Sequence, residues 1–281
     1  MRNLLVTGMI LFASFFLQAQ DTVNTTVADK PVRNTFYVNT LAYQQTVSSP
    51  VKGGMELFFS HRFGSISNGF NDLFGLYGGV NIRMSLSYGI TDYLMAGIGS
   101  TMPNVWDLHG KVALLRQTRS GRIPVSVSFF ANMAVDARDK MVYDIYTTYS
   151  YKHRFSYFYQ LMIARKFGNV GALQVSPVIA YYNAVEKDRE NFNTGIDVLG
   201  RIKLLDNLFF VGQYGQSFTK TTFNSRPGAA GGVEITTATH SFQVFLSNYR
   251  ELLQQANLTA NRYEIGDEKN LCIGFNLTIR M

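Results

Sequence analysis

The last stretch of the chain, Leu271 to Met281, reads LCIGFNLTIRM and alternates without a break. Leu271, Ile273, Phe275, Leu277, Ile279 and Met281 are apolar, while Cys272, Gly274, Asn276, Thr278 and Arg280 between them are small or polar. Successive side chains of a strand point to opposite faces, so this spacing describes a strand with one apolar and one wet face. No turn follows it. A strand that ends the chain leaves a row of unpaired backbone groups unless it pairs with an earlier strand and closes a barrel. The expectation is an all-β fold: a single transmembrane, antiparallel, up-and-down β-barrel with this strand as the closing stave.

The start of the chain carries an export signal. Met1-Arg2-Asn3 is a short basic head, Leu4 to Leu17 is apolar, and Leu17-Gln18-Ala19 offers a small-residue cleavage site before Gln20. An apolar core of about 14 residues falls short of the roughly 20 that a spanning helix needs. Residues 1–19 are therefore expected to be a cleaved signal peptide, 20–53 a periplasmic or lumen-associated segment, and 54–281 the barrel. No later segment reaches the apolar run of a spanning helix, so an exported membrane protein of this sequence must cross with strands. Aromatic residues make up 14% and charged residues only 16% of the chain, which suits apolar residues spread over alternate positions. The formal charge is +7, or +6 without Arg2, but it forms no basic cluster and export removes nucleic acid as a partner. Cys272 is the one cysteine, so there is no disulfide framework.

From Gly54 onward the alternation recurs. Met55, Leu57, Phe59, His61 and Phe63 share one face, and Glu56, Phe58, Ser60 and Arg62 the other. Val80 to Ile90 puts Val80, Ile82, Met84, Leu86, Tyr88 and Ile90 outward. Trp106, Leu108, Val112 and Leu114 oppose Asp107, His109 and Lys111, and Ile196, Val198 and Ile202 oppose Asp197, Arg201 and Lys203. Counting gives about 12 strands, an even number as a single-chain bacterial barrel requires. Short connections at 91–92, 118–122, 166–169, 206–207 and 237–239 alternate with longer ones. That is the pattern of short periplasmic turns and long outer loops. Thr35 to Val47 has no clean period and reads equally as an extra strand, a periplasmic extension or a segment inside the lumen. Phe63, Trp106, Phe155, Tyr181, Phe192 and Phe218 fall on apolar faces at the outer strand ends, as an aromatic girdle at one membrane interface would.

Three stretches, ELFFSHRFG at Glu56 to Gly64, NIRMSLSYGITDYLMAGIG at Asn81 to Gly99 and FQVFLSN at Phe242 to Asn248, together carry a resemblance. In their order and spacing the chain resembles an uncharacterised family of bacterial outer-membrane β-barrel proteins, a domain of unknown function, from about Phe36 to the end. The resemblance implies an exported barrel in the outer membrane. It brings no activity and no catalytic residues.

The candidate functional residues are the inward charges Glu56, Arg62, Arg83, Asp107, His109, Lys111, Asp197, Arg201 and Lys203, with Gln160, Gln174, Gln213 and Gln243. Buried charges need partners, so one account is a bonded lumen that stiffens the barrel. The other is a narrow polar pore or small-solute site with a cationic bias. Barrels of eight strands fill their interior with side chains and those of 16 or more hold water, so a barrel of about 12 admits both. A structural or partner-binding protein acting through loops 134–153 and 249–270 is the alternative. An enzyme is not expected: the four histidines are scattered, and no compact serine–histidine pair stands out on the lipid side. Metal spacing is absent, and the Gly97 to Gly99 run precedes no helix, so no cofactor is expected. Outer-membrane lipid is the expected environment, and a small anionic or polar solute the expected ligand.

Overall fold

The computed structural model describes residues 29–139, 149–220 and 225–281; the expected leader lies outside these residues. Two short strands, β1 (Thr40–Leu41) and β2 (Gln44–Gln45), precede the barrel. Its first six strands are β3 (Met55–Ser65), β4 (Asn81–Gly89), β5 (Leu94–Thr101), β6 (Val105–Leu115), β7 (Ser126–Asp136) and β8 (Phe155–Phe167). The others are β9 (Gly171–Tyr182), β10 (Phe192–Lys203), β11 (Leu208–Ser217), β12 (Gly228–Thr236), β13 (His240–Ser247) and β14 (Cys272–Arg280).

Strands β3 to β14 form one closed barrel in sequence order. The C-terminal strand closes it as expected: β14 runs antiparallel to β3 from Cys272 opposite Ser65 to Arg280 opposite Glu56. Along β14, Cys272, Gly274, Asn276 and Thr278 are buried inside, and the residues between them are less so. The closed ring leaves no unpaired edge, which is what lets strands cross a bilayer. Outward residues such as Met84, Leu86, Ile98, Leu108 and Val244 are exposed on the barrel's outer face.

Several boundaries differ from the sequence reading. Strand β7 runs on to Asp136, because Ala134 and Asp136 continue its alternation, so the loop expected from Ala134 begins after it. Residues 140–148 of that loop lie outside the described residues. One connection at the long-loop end, Met102 to Asn104, is itself a tight turn.

The aperiodic stretch Thr35 to Val47 proves to be a hairpin inside the barrel. It rises from the end that carries the short turns, where Pro31 bridges to Thr118 and Tyr37 Oη donates to the Ala238 carbonyl at 2.8 Å. β1 and β2 pair as Thr40 with Gln45 and Leu41 with Gln44, so Ala42 and Tyr43 form the tip. The chain then descends, and Gly53 N–H bonds the Gly89 carbonyl as it leads into β3. Phe36, Val38, Leu41 and Val47 pack on inward Phe130, Phe158, Met162, Val178 and Leu199 in one buried apolar cluster. Burying such side chains stabilises by roughly 1.5–3 kcal/mol each, so the hairpin is core rather than a loose insert.

From the other mouth, the loop after β13 also turns inward. Tyr249 and Leu252 to Gln255 are buried, and helix α1 (Gln254–Ala260) lies against β8, β9, β10 and β11.

Candidate functional site

The hairpin brings backbone groups into the lumen, and buried backbone groups need partners. The inward glutamines supply them. Gln243 accepts from Ala42 N–H at 2.9 Å and donates to the Thr40 carbonyl at 3.1 Å. Gln213 accepts from Tyr43 N–H at 3.0 Å, and Gln174 accepts from Val47 N–H at 2.9 Å. Gln174 and Gln160 both donate to the Gln45 carbonyl, at 2.8 and 3.2 Å.

The inward charges serve the same end. Lys111 Nζ donates to the carbonyls of Thr46 and Ser48, at 2.7 and 2.6 Å, and to the Asn39 side chain. Glu56 accepts from Asn39 N–H at 3.0 Å. Arg62 donates to Asn276 at 2.9 Å and to the Ala42 carbonyl at 3.2 Å. Its guanidinium lies between Tyr43, 4.1 Å from the ring centre, and Phe245, at 4.8 Å. Stacking of a cation on two aromatic faces suits arginine, which is weakly hydrated and planar. Asp197 accepts from Gln44 at 2.8 Å.

Two ion pairs hold the wall itself. Arg83 grips Asp107 with both terminal nitrogens, while Asn132 donates to the same carboxylate at 2.8 Å. Arg201 meets Glu234 at 2.5 Å, and Ser241 donates to Glu234 at 2.8 Å. Glu234 was missed in the sequence reading although it alternates with outward Val233 and Ile235. It raises the inward acids to four, which weakens the expected cationic bias. Lys203 sits at the short-turn rim, where Nζ pairs with exposed Asp206 at 2.7 Å.

A serine–histidine–aspartate array stands in the wall. Ser87 Oγ lies 3.1 Å from His109 Nε2, and His109 Nδ1 lies 3.1 Å from Asp107 Oδ1. β5 carries Gly97 and Gly99 between these residues, where any side chain would run into His109 and Asp107. The spacing matches that of a nucleophile, its base and an orienting acid. Its surroundings do not: all three residues are buried, Asp107 is also held by Arg83 and Asn132, and Asn39 of the hairpin donates to Ser87 Oγ at 3.3 Å. The array is packed beneath the hairpin.

Among the described residues, two pockets beside the hairpin tip hold about 10 Å³ or less. A cavity of about 700 Å³ opens between the hairpin's base and the wall at the short-turn mouth. On the outside, Trp106, Tyr181, Phe192 and Phe218 are exposed at the long-loop end. Phe63 and Phe155 at the same end are half-buried, beside His61 and Tyr151.

The family model described as "Membrane bound beta barrel domain (DUF5777)" matches residues 36–281. The chain belongs to this family. The match takes in the lumen hairpin as well as all the barrel strands. Comparison with curated proteins gives no match. Among solved structures, the chain is similar to the COG4313 outer membrane channel from Pseudomonas putida F1. That similarity has 11% identity and a TM-score of 0.49, and covers 87% of this chain and 100% of that one. For the NanC porin the identity is 8% and the TM-score 0.49, over 80% of this chain and 98% of that one. LpxR from Salmonella typhimurium is 10% identical with a TM-score of 0.37, over 80% and 99% of the two chains. None of these likenesses assigns an activity.

Proposed function

We propose that this protein is an outer-membrane barrel sealed by its own chain, which works as a binding protein at its two ends rather than as an open pore. Export by the N-terminal leader and insertion as a barrel put the short turns in the periplasm and the long loops outside. The observation that carries the reading is the lumen hairpin, whose apolar side chains join the barrel's core and whose backbone is bonded by the inward glutamines and charges. A solute path along Arg62, Lys111 and Asp197 is occupied by Ala42, Tyr43, Gln44 and Thr46. At the outer end Phe70 and Tyr77, in the loop between β3 and β4, are 84% and 82% exposed, two aromatic side chains that a protein partner would cover.

A second reading is solute transport with the hairpin displaced. It draws support from the layer where hairpin and α1 meet, in which Gln44 Oε1, Gln254 Oε1 and both polar side-chain atoms of Asn257 are buried without partners among the described residues. Unpaired buried amides cost stability and lower the cost of separating the two pieces.

Planar-bilayer recording on the protein refolded from Gln20 separates these readings. A silent barrel supports sealing, and steady conductance of the wild type overturns it. Conductance that appears only in bursts, and is lengthened by Leu41→Ala, favours transport by displacement.

A further inference from the structure

The cavity at the short-turn mouth is built differently from the lumen above it. Its wall includes Arg33 from the segment that enters the barrel, Arg116 at the end of β6 and Arg280 at the end of β14. Among the described residues none of these arginines forms an ion pair. Two are steadied by rings, Arg116 over Tyr93 at 4.3 Å and Arg280 over Tyr37 at 4.7 Å. The carboxylates at the cavity are Glu56 and Asp92. Each already accepts a backbone N–H, from Asn39 at 3.0 Å and from Lys52 at 3.2 Å. Between the arginines the wall is mixed, with Val32, Val51 and Leu115 beside the hydroxyls of Ser48 and Ser126 and the Asn34 amide.

We propose that this cavity binds an organic anion, a carboxylate or phosphate head on an apolar body, presented from the periplasm. The volume of about 700 Å³ lies within the roughly 300–1,000 Å³ of small-molecule sites, which pair apolar walls with a few placed polar groups. A planar guanidinium matches the two oxygens of such a head, and three of them outnumber the two engaged carboxylates. An apolar body covers wall that would otherwise face water, so inorganic phosphate alone forfeits part of the binding. The site needs the hairpin seated, because Arg33 and Tyr37 belong to its base. It does not depend on whether the lumen conducts.

Calorimetry on the full mature chain in detergent micelles tests this with three probes: 2-naphthyl phosphate, inorganic phosphate and uncharged 2-naphthol. The expected result is one-to-one binding of 2-naphthyl phosphate above micelle-only controls, with weaker binding of the other two. Arg116→Gln should weaken it about tenfold or more, as loss of a charge-assisted bond does. Arg119→Gln, a turn arginine outside the cavity wall, should leave it unchanged. Lys111→Met, which loosens the hairpin, should also weaken binding while Arg116 is intact. Equal binding of 2-naphthol, no binding of 2-naphthyl phosphate, or an Arg116→Gln variant that is folded and binds normally would overturn the proposal.

Discussion

The Tyr43 hydroxyl, at the tip of the lumen hairpin, donates a 2.6 Å hydrogen bond to the backbone carbonyl of Tyr249. One residue enters the barrel from the short-turn mouth and the other from the long-loop mouth. Their rings lie 5.0 Å apart, and Gly228 on β12 leaves the space that the Tyr249 ring fills. Hairpin and loop are thereby joined across the lumen.

Tyr43→Phe keeps the ring and removes the donor. The variant should lose about 1 kcal/mol, because the Tyr249 carbonyl loses that bond. Limited proteolysis of the loop after β13 should quicken while the barrel strands stay protected. Unchanged cleavage would show that the two pieces pack independently.

Asp107→Ala should be far more costly than its position in a membrane wall suggests. It leaves the buried Arg83 guanidinium without its carboxylate, and breaking such pairs costs about 3–5 kcal/mol. Urea unfolding in lipid vesicles checks this. A loss under 1 kcal/mol would mean that water or Thr101 takes over Arg83.

The Ser87–His109–Asp107 array should be silent towards a fluorophosphonate probe in the folded barrel. Ser87 is buried, and its Oγ is already engaged by both Asn39 and His109. Mass spectrometry that finds Ser87 labelled in the native protein would refute the enclosure and reopen hydrolysis.

Asp29 fixes the approach of the hairpin to the turn after β6. The hydrogen bond from Ser120 Oγ, 2.5 Å long, holds its carboxyl below the usual carboxylate range. A depressed folded value means that the contact's contribution is complete above the ordinary aspartate range and is lost as pH falls through the folded value. The Asp29 carboxyl signal in a magnetic resonance titration should therefore move with a midpoint below that of free aspartate. A midpoint at or above the free value would remove this tether.

The barrel was legible because one rule governs it. Each strand between Met55 and Arg280 has lipid on one side, and that alone imposes a period of two, visible even in β14. The hairpin has no such constraint. Leu41 meets apolar wall while Gln44 meets Asp197, so contact with a closed surface on every side erases any period. A signal was nevertheless present: Phe58 falls on the inward face with Glu56 and Arg62, and Phe130 and Phe158 sit inward as well. Apolar residues at lumen positions need something apolar to cover them. The serine–histidine–aspartate array was unreadable for another reason, since Ser87 and His109 are brought together only by the register of β4, β5 and β6.

The central claim is that the hairpin fills the lumen, and thiol accessibility tests it most directly. With Cys272 replaced by serine, Val38→Cys and Val51→Cys would each be exposed to a membrane-impermeant maleimide in the folded barrel. Val38 is fully buried and Val51 is 64% exposed. Rapid modification at Val51→Cys, with none at Val38→Cys until the barrel is unfolded, is the predicted result. Equal rates at both positions would place the hairpin outside the lumen and contradict the account.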